Sequence, residues 1–277
     1  MNSVLPSGNT RLFPVVGDPI AQVRSPGTIT GILRERRADA VVVPMHVASS
    51  DLQPLLASLA TVQNVGGVLV TVPHKQGALQ ACSSLTDRAS FVEAVNVIRR
   101  TSRGWHGDNT DGAGYLDGIE HEGFSVAGKR ILLVGCGGAG SAIALEMLVR
   151  GAAILALHDS NPERRDALIA KLETRFPGRV KIGSSDPTGF DLIANATPMG
   201  MSEMDPLPVD VSLLSPSQFV ACVVTKPPVT ALIAEARRRG CRTMTGNGMF
   251  DAQAQTLTNF LLESADGRHA GLERSVS

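Results

Sequence analysis

Short apolar runs rich in β-branched residues alternate along this chain with longer segments of helical periodicity. Leu12–Val16, Ala40–Met45 and Gly67–Val72 read as strands, and the intervening patterns predict helices over Ile29–Arg37, Leu52–Ala60 and Gln76–Cys82. Val95–Arg99 and Trp105–Gly107 predict a short β pair, followed by a helix over Thr110–Glu122 that Gly123 stops. Strands and helices in alternation predict βα units around a largely parallel sheet, an α/β fold.

A second series of units opens at Lys129. Arg130–Val134 is a strand, apolar from Ile131 on, Gly138–Arg150 a helix and Ala153–His158 a strand. Asn161–Arg175 follows as a helix, with Asn161 as N-cap and Pro162 at its first position. Arg179–Ile182, Asp191–Asn195 and Phe219–Val224 read as further strands, Val229–Arg239 and Met249–Leu262 as helices. The tail from Ser264 is polar and is expected to fray.

Composition narrows the class of partner. Hydrophobic residues are 43% and charged residues 19% of 277, so the chain buries cores and is not built to stay disordered. Lys+Arg and Asp+Glu are 26 each, which gives no electrostatic case for nucleic acid or an anionic membrane. The longest apolar stretch, Ile131 to Val149, is broken by glycines and Glu146 and does not read as a transmembrane span. Met1 to Thr10 lacks the pattern of a signal peptide, and Cys82, Cys136, Cys222 and Cys241 form no C-x-x-C pair. The six histidines show no metal spacing. A cytoplasmic protein with reduced thiols and no metal is expected.

The strongest chemical signal is Ile131-Leu-Leu-Val-Gly135-Cys136-Gly137-Gly138-Ala139-Gly140-Ser141-Ala142, an apolar strand running through G-x-G-G-x-G into a helix. The first glycine turns the chain, the second lets backbone approach a pyrophosphate, and the third lets helix pack on strand. A phosphate then meets the free N–H groups and positive dipole end of the helix. Gly135, Gly137, Gly138 and Ala139 are therefore candidate dinucleotide contacts. Asp159 ends the next strand, 24 positions after Gly135, where a carboxylate accepts from the adenosine ribose of NAD and repels a 2′-phosphate. This favours NAD over NADP, although Arg164, one helical turn on, is able to meet a phosphate.

Six further blocks lie in order along the chain. They are Gly17-Asp18-Pro19-Ile20-Ala21-Gln22-Val23-Arg24-Ser25-Pro26, Val70-Thr71-Val72-Pro73-His74-Lys75, Ala94-Val95-Asn96, Gly107-Asp108-Asn109-Thr110-Asp111-Gly112, Asn195-Ala196-Thr197-Pro198-Met199-Gly200-Met201, and Gly246-Asn247-Gly248-Met249 through Gln253. The set resembles the shikimate dehydrogenase family, which includes shikimate and quinate dehydrogenases, over roughly residues 11 to 262. The resemblance implies two α/β domains with a cleft between them. One is a discontinuous substrate domain, 1–110 plus 246–277; the other is a Rossmann-type doubly wound nucleotide domain, 111–245. A monomer or homodimer is expected.

The same resemblance implies that Lys75 and Asp111 are the catalytic pair. The chemistry agrees, since oxidising a secondary alcohol requires a group that takes the hydroxyl proton as hydride leaves. A lysine beside a carboxylate and partly desolvated has a tunable pKa. Ser25, Thr71, Asn96 and Gln253 are implied as substrate contacts. Ser160, Asn161, Asn195, Thr197, Pro198, Met199, Val224, Gly246 and Met249 are implied on the cofactor side. Taken singly, these residues also fit a helix-start lysine, a first-turn aspartate and strand or helix polar groups satisfied by backbone.

Three positions depart from the family pattern. Val23 replaces the first serine of Ser-x-Ser-Pro, Leu69 replaces an asparagine, and Thr225 replaces the tyrosine of Val-Tyr-x-Pro. Losing two hydrogen bonds to a carboxylate, at roughly 1.5–3 kcal/mol each, costs on the order of a hundredfold to ten-thousandfold in affinity. Arg24 and Lys226 are nearby, either solvated or compensating electrostatically. The expected activity is oxidation of a cyclic polyol that carries a less acidic or bulkier substituent, with NAD preferred and NADP possible. Two alternatives stay open. One is a non-catalytic NAD-binding sensor; the other is an ordinary NADP-dependent enzyme of aromatic amino acid biosynthesis.

Overall fold

The computed structural model describes residues 6–263, so the tail from Ser264 lies outside the described residues. The chain divides into two compact units, one formed by the residues through Thr110 with those from Ala254 on, the other by Asp111–Gln253.

The first unit runs β1 (Arg11–Gly17), α1 (Ser25–Glu35), β2 (Ala40–His46), α2 (Leu52–Leu59), β3 (Gly67–Val70), α3 (Lys75–Leu79), β4 (Cys82–Leu85), α4 (Asp87–Val92), β5 (Val97–Thr101) and β6 (Gly104–Asp108). Its sheet has the order β2-β1-β3-β5-β6-β4. β1 pairs parallel with β2 and β3, and β5 is antiparallel to β3 and β6. The period-two alternation of β1 divides its side chains between two cores. Phe13 and Val15 join Ile29 and Leu33 of α1 and Leu257, Phe260 and Leu261 of the chain's last helix. Val16 joins Leu52, Leu56 and Leu59 of α2 on the other side.

Here the structure corrects several predicted elements. α1 begins at Ser25 instead of Ile29, because Pro26 occupies the first turn, where its missing N–H leaves nothing unpaired. The predicted helix Gln76–Cys82 stops at Leu79, and Cys82–Leu85 becomes β4, paired with β6. Thr86 then caps the unpredicted α4, its hydroxyl accepting from Ala89 N at 3.2 Å.

The second unit runs α5 (Asp111–His121), β7 (Arg130–Val134), α6 (Gly138–Val149), β8 (Ile154–His158), α7 (Pro162–Glu173), β9 (Val180–Ile182), β10 (Leu192–Asn195), β11 (Phe219–Cys222), α8 (Ala231–Arg238), β12 (Arg242–Met244) and the start of α9 (Gly246–Leu262). Its sheet has the order β12-β11-β10-β7-β8-β9 with every pair parallel. This is the doubly wound order, with the direction of winding reversing between β7 and β10. The edge strand β12 has three residues and escaped the sequence reading. α7 is capped as predicted: Asn161 Oδ1 accepts from Arg164 N at 3.0 Å.

α9 starts at Gly246, three residues ahead of the predicted Met249; a Cβ at Gly246 would lie 2.3 Å from the Val224 carbonyl oxygen, so only glycine fits at that first position. The division between units falls within α9 at Ala254, whereas the sequence reading places it at 246. Gln253 packs on Gly114 of α5. From Ala254 onward the buried residues belong to the first unit's core.

All four cysteines are free. Among the described residues no helix is long and apolar enough to cross a membrane, and no group of three or more His, Cys, Asp or Glu is placed to hold a metal.

Candidate functional site

The glycine-rich turn lies where the winding of the parallel sheet reverses. Gly135 leaves β7 at φ +101°, a conformation glycine tolerates and other residues resist. A Cβ at Gly140 would lie 1.9 Å from the Gly135 carbonyl oxygen, so this glycine lets α6 approach the strand. At Gly137 and Gly138 an added Cβ would meet nothing within 4 Å. Open space thus stands over the first N–H groups of the twelve-residue α6, whose N-cap Gly137 supplies no side-chain cap. Turn, space and helix end fit a dinucleotide pyrophosphate.

A cavity of about 450 Å³ adjoins the turn. It gathers Gly135, Gly137, Asp159, Ser160, Arg164, Thr197, Pro198 and Met199 of the predicted cofactor residues. Its lining does not include Gly138, Ala139, Asn161, Asn195, Val224, Gly246 or Met249, but adds His158, Ser185, Leu207 and Pro208. Asn195 is buried and organises the lining. Its Oδ1 accepts from Thr197 Oγ1 at 2.6 Å and Thr197 N at 3.1 Å, and its Nδ2 donates to Met199 O at 3.3 Å. Met199 N in turn donates to Thr197 Oγ1 at 3.1 Å, which closes the loop on itself.

Asp159 is enclosed. Its side chain is 3% exposed and accepts four hydrogen bonds. Oδ1 takes Asn161 N at 2.8 Å and Arg164 Nη2 at 2.6 Å, while Oδ2 takes Cys136 N at 2.7 Å and Arg164 Nε at 3.1 Å. Burial pushes this carboxyl up, but the bonds from Arg164, Asn161 and Cys136 outweigh it and hold the pKa at about 2. The Arg164 side chain, by contrast, is 51% exposed. Burial pushes the neighbouring Cys136 thiol up to about 12, which keeps it protonated.

In the first unit, backbone hydrogen bonds gather the predicted substrate residues at the ends of β1 and β3 and ahead of β5. Thr71 N donates to Val16 O, Val70 N to Asn96 O, and Val95 N to Lys75 O, at 3.0, 2.8 and 2.9 Å. Gly17 makes room for Thr71, whose Cγ2 would lie 2.5 Å from a Cβ there. Lys75 is the first residue of α3. The preceding His74 is buried and donates Nε2 to Val47 O at 2.8 Å. Asn96 is 5% exposed and binds Thr110, accepting Thr110 N at 3.0 Å and donating Nδ2 to Thr110 Oγ1 at 3.0 Å. Ser25 opens α1 half-buried. Val23 packs with Ile20 against the core that contains Leu69, so two of the three departing positions are apolar packing. The third, Thr225, is exposed beyond β11 beside exposed Lys226.

Asp111 opens α5 in the second unit, where the helix dipole favours its charge. Gln253 Nε2 donates to Asp111 Oδ1 at 2.8 Å, uniting two predicted residues 142 positions apart. The sequence reading missed a buried group just before them. Asp108, 0% exposed, accepts Arg88 Nε and Nη2 at 2.7 and 2.5 Å, Thr86 Oγ1 at 2.6 Å and Asn109 N at 2.7 Å. It anchors the strand end that leads through Asn109 and Thr110. The motif Gly107-Asp108-Asn109-Thr110 was a signal for it, but the partner Arg88 lay in a stretch with no predicted element.

Comparison with known proteins agrees with this arrangement. Residues 15–98 match the family model of the shikimate dehydrogenase substrate binding domain. The chain is 36% identical over 253 residues to a shikimate dehydrogenase (NADP(+)) of Jannaschia sp. (strain CCS1), covering 88% of each. Among solved structures it is similar to the 5-ketofructose reductase of Gluconobacter sp. strain CHM43, with TM-score 0.86, 27% identity and coverage of 92% of this chain and 94% of that one. It is also similar to quinate dehydrogenase from Corynebacterium glutamicum in complex with NAD, with TM-score 0.82, 26% identity and coverage of 91% and 93%. The chain belongs to the shikimate dehydrogenase family of nicotinamide-dependent oxidoreductases acting on CH–OH donors.

Proposed function

We propose that this enzyme interconverts a secondary hydroxyl and a ketone on a cyclic polyol related to shikimate or quinate. The observation that carries the reading is the gathering of Thr71, Lys75 and Asn96 by backbone hydrogen bonds, in a chain that also owns a dinucleotide cradle. The glycine-rich turn and the cavity beside it would hold the coenzyme, which would supply the hydride-transfer chemistry. Lys75 takes the hydroxyl proton as the carbon is oxidised and returns it in the reverse direction. Asp111, held by Gln253, accepts from a substrate hydroxyl, and Thr71 and Asn96 add polar contacts.

NADP is the coenzyme this reading favours. The Jannaschia relative is named for NADP(+), and the Arg164 side chain is half-exposed and lines the cavity while Asp159 is enclosed. NAD is the second reading. The Asp159–Arg164 pair offers no net positive charge to a 2′-phosphate, and the quinate dehydrogenase neighbour is in complex with NAD.

The substrate carries a weaker acid than a carboxylate or none at all. Val23 and Leu69 supply no polar atom beyond the backbone, and Thr225 is a short hydroxyl. A structural neighbour is named for 5-ketofructose, an uncharged sugar. The deciding assay follows nicotinamide absorbance with shikimate and quinate as oxidation substrates and 5-ketofructose as reduction substrate, each with both coenzymes. Turnover of any of the three at low substrate concentration supports the oxidoreductase reading; turnover of 5-ketofructose in preference to shikimate and quinate supports the uncharged substrate, and efficient turnover of shikimate or quinate overturns it. Coenzyme binding without turnover of any of the three instead supports the sensor.

A further inference from the structure

The carboxylate of Asp159 is committed on both oxygens. An ionised carboxylate has about four acceptor positions, and here two backbone N–H groups and a two-pronged guanidinium fill them. The two backbone donors come from different turns. Cys136 lies between Gly135 and Gly137 in the turn from β7 to α6, and Asn161 is the N-cap of α7, after β8. One side chain therefore staples the glycine-rich turn to the start of the neighbouring βα unit. Gly135 N supports the same junction by donating to His158 O at 2.8 Å. Arg164, whose backbone N–H is held by Asn161, folds back to close the staple while leaving half its side chain exposed to the cavity.

A ribose hydroxyl seeking Asp159 has to displace one of these donors. The backbone N–H groups are fixed by the chain, and the guanidinium makes a two-pronged charge-assisted pair that a neutral hydroxyl does not match.

We propose that Asp159 is a positioning residue for the glycine-rich turn, holding Cys136 N–H so that the coenzyme cradle keeps its shape, and that it does not read the ribose. The inference rests on the dinucleotide reading of the cavity but not on the choice between NAD and NADP.

The test is calorimetric titration of NAD+ and of NADP+ into the full-length wild type, Asp159→Asn and Arg164→Gln, with amide hydrogen exchange on each. Asp159→Asn is expected to weaken both coenzymes by roughly tenfold or more, the two factors agreeing within about threefold. Exchange protection at Cys136 is lost while β7 and β8 stay protected. Arg164→Gln is expected to keep exchange protection at the Cys136 amide, since both backbone contacts of Asp159 remain. Loss of NAD+ binding alone in Asp159→Asn, with NADP+ retained or improved, overturns the proposal. So does unchanged binding of both. If Asp159→Asn does not fold, the wild-type Cys136 amide decides: slow exchange supports the staple and fast exchange refutes it. A wild type that prefers NAD+ refutes the NADP reading above and leaves this test intact.

Discussion

Gln253 reaches Asp111 because Gly114 has no side chain. The Cβ that Gly114 lacks would lie 2.5 Å from Gln253 Cβ, and the amide of Gln253 then donates to Asp111 Oδ1 at 2.8 Å. Two neighbouring glycines admit other close contacts to α5: a Cβ at Gly112 would strike Ala142 O of α6 at 2.2 Å, and one at Gly118 would strike Met244 Sδ at 2.6 Å. The glycines of α5 thus fix the backbone on which Asp111 stands, and Gln253 fixes the carboxylate.

Removing that bond should cost catalysis without unfolding the protein. A hydrogen bond to a charged group is worth about 1.5–3 kcal/mol, so Gln253→Leu is expected to lower kcat/KM about 10- to 100-fold. Gln253→Glu should fall further, since it places a like charge on Asp111. Steady-state kinetics checks both, with thermal melts expected to match the wild type. Gly114→Ala should show the kinetic loss together with a lowered melting temperature, because its Cβ meets backbone as well as side chain.

Lys75 and the coenzyme cradle belong to different units, so their contributions separate. Lys75→Met is expected to lower turnover at least about 100-fold while coenzyme affinity stays within about threefold. Steady-state turnover together with coenzyme titration checks this. Turnover at the wild-type rate removes Lys75 from the chemistry.

Why some of this was legible in the sequence and some was not is a matter of range. The strand–turn–helix at Ile131–Val149 declares itself locally: the strand is apolar throughout because both faces are buried, and each glycine answers a nearby steric demand. β4 was not legible because Cys82-Ser83-Ser84-Leu85 has neither alternation nor β-branched residues, and only its pairing with β6 makes it a strand. Asp159 could be placed at a strand tip by counting, yet its donors lie 23 residues earlier and two and five residues later, and spacing alone does not reveal that its acceptor positions are filled. The Gln253 bond spans 142 residues, and only the resemblance to a family brought its two ends onto one site.

The Asp108–Arg88 pair should be the most sensitive polar contact in the first unit. The Asp108 side chain is 1% exposed and Arg88 33% exposed. Taking one partner from such a pair strands the other, and with Arg88 partly in water the cost is about 3 kcal/mol, the lower end of the range for buried pairs. Arg88→Met is therefore expected to shift the urea midpoint to markedly lower concentration. Because Asp108 also accepts Asn109 N, the same variant should raise KM for the substrate more than it lowers kcat. An unchanged midpoint would show that Thr86 and Asn109 suffice to hold the carboxylate.

Acid should act on the second unit through Asp159. Its folded pKa of about 2 lies below the ordinary aspartate value of about 3.9. The folded state therefore prefers the ionised form, and the resulting stabilisation is complete above the unfolded value. It fades as pH falls from about 4 and is gone once pH passes through about 2, because the unfolded chain takes up the proton first. Melting temperature measured from pH 6 downward should therefore decline more steeply below about pH 4 for the wild type than for Asp159→Asn, which carries no proton to take up. The two curves should converge toward pH 2, since protonation of the wild-type carboxyl weakens its pairing with Arg164 as the substitution does. Parallel curves over the whole range would mean that Asp159 has the same pKa folded and unfolded. That outcome contradicts the four hydrogen bonds the structure assigns to it.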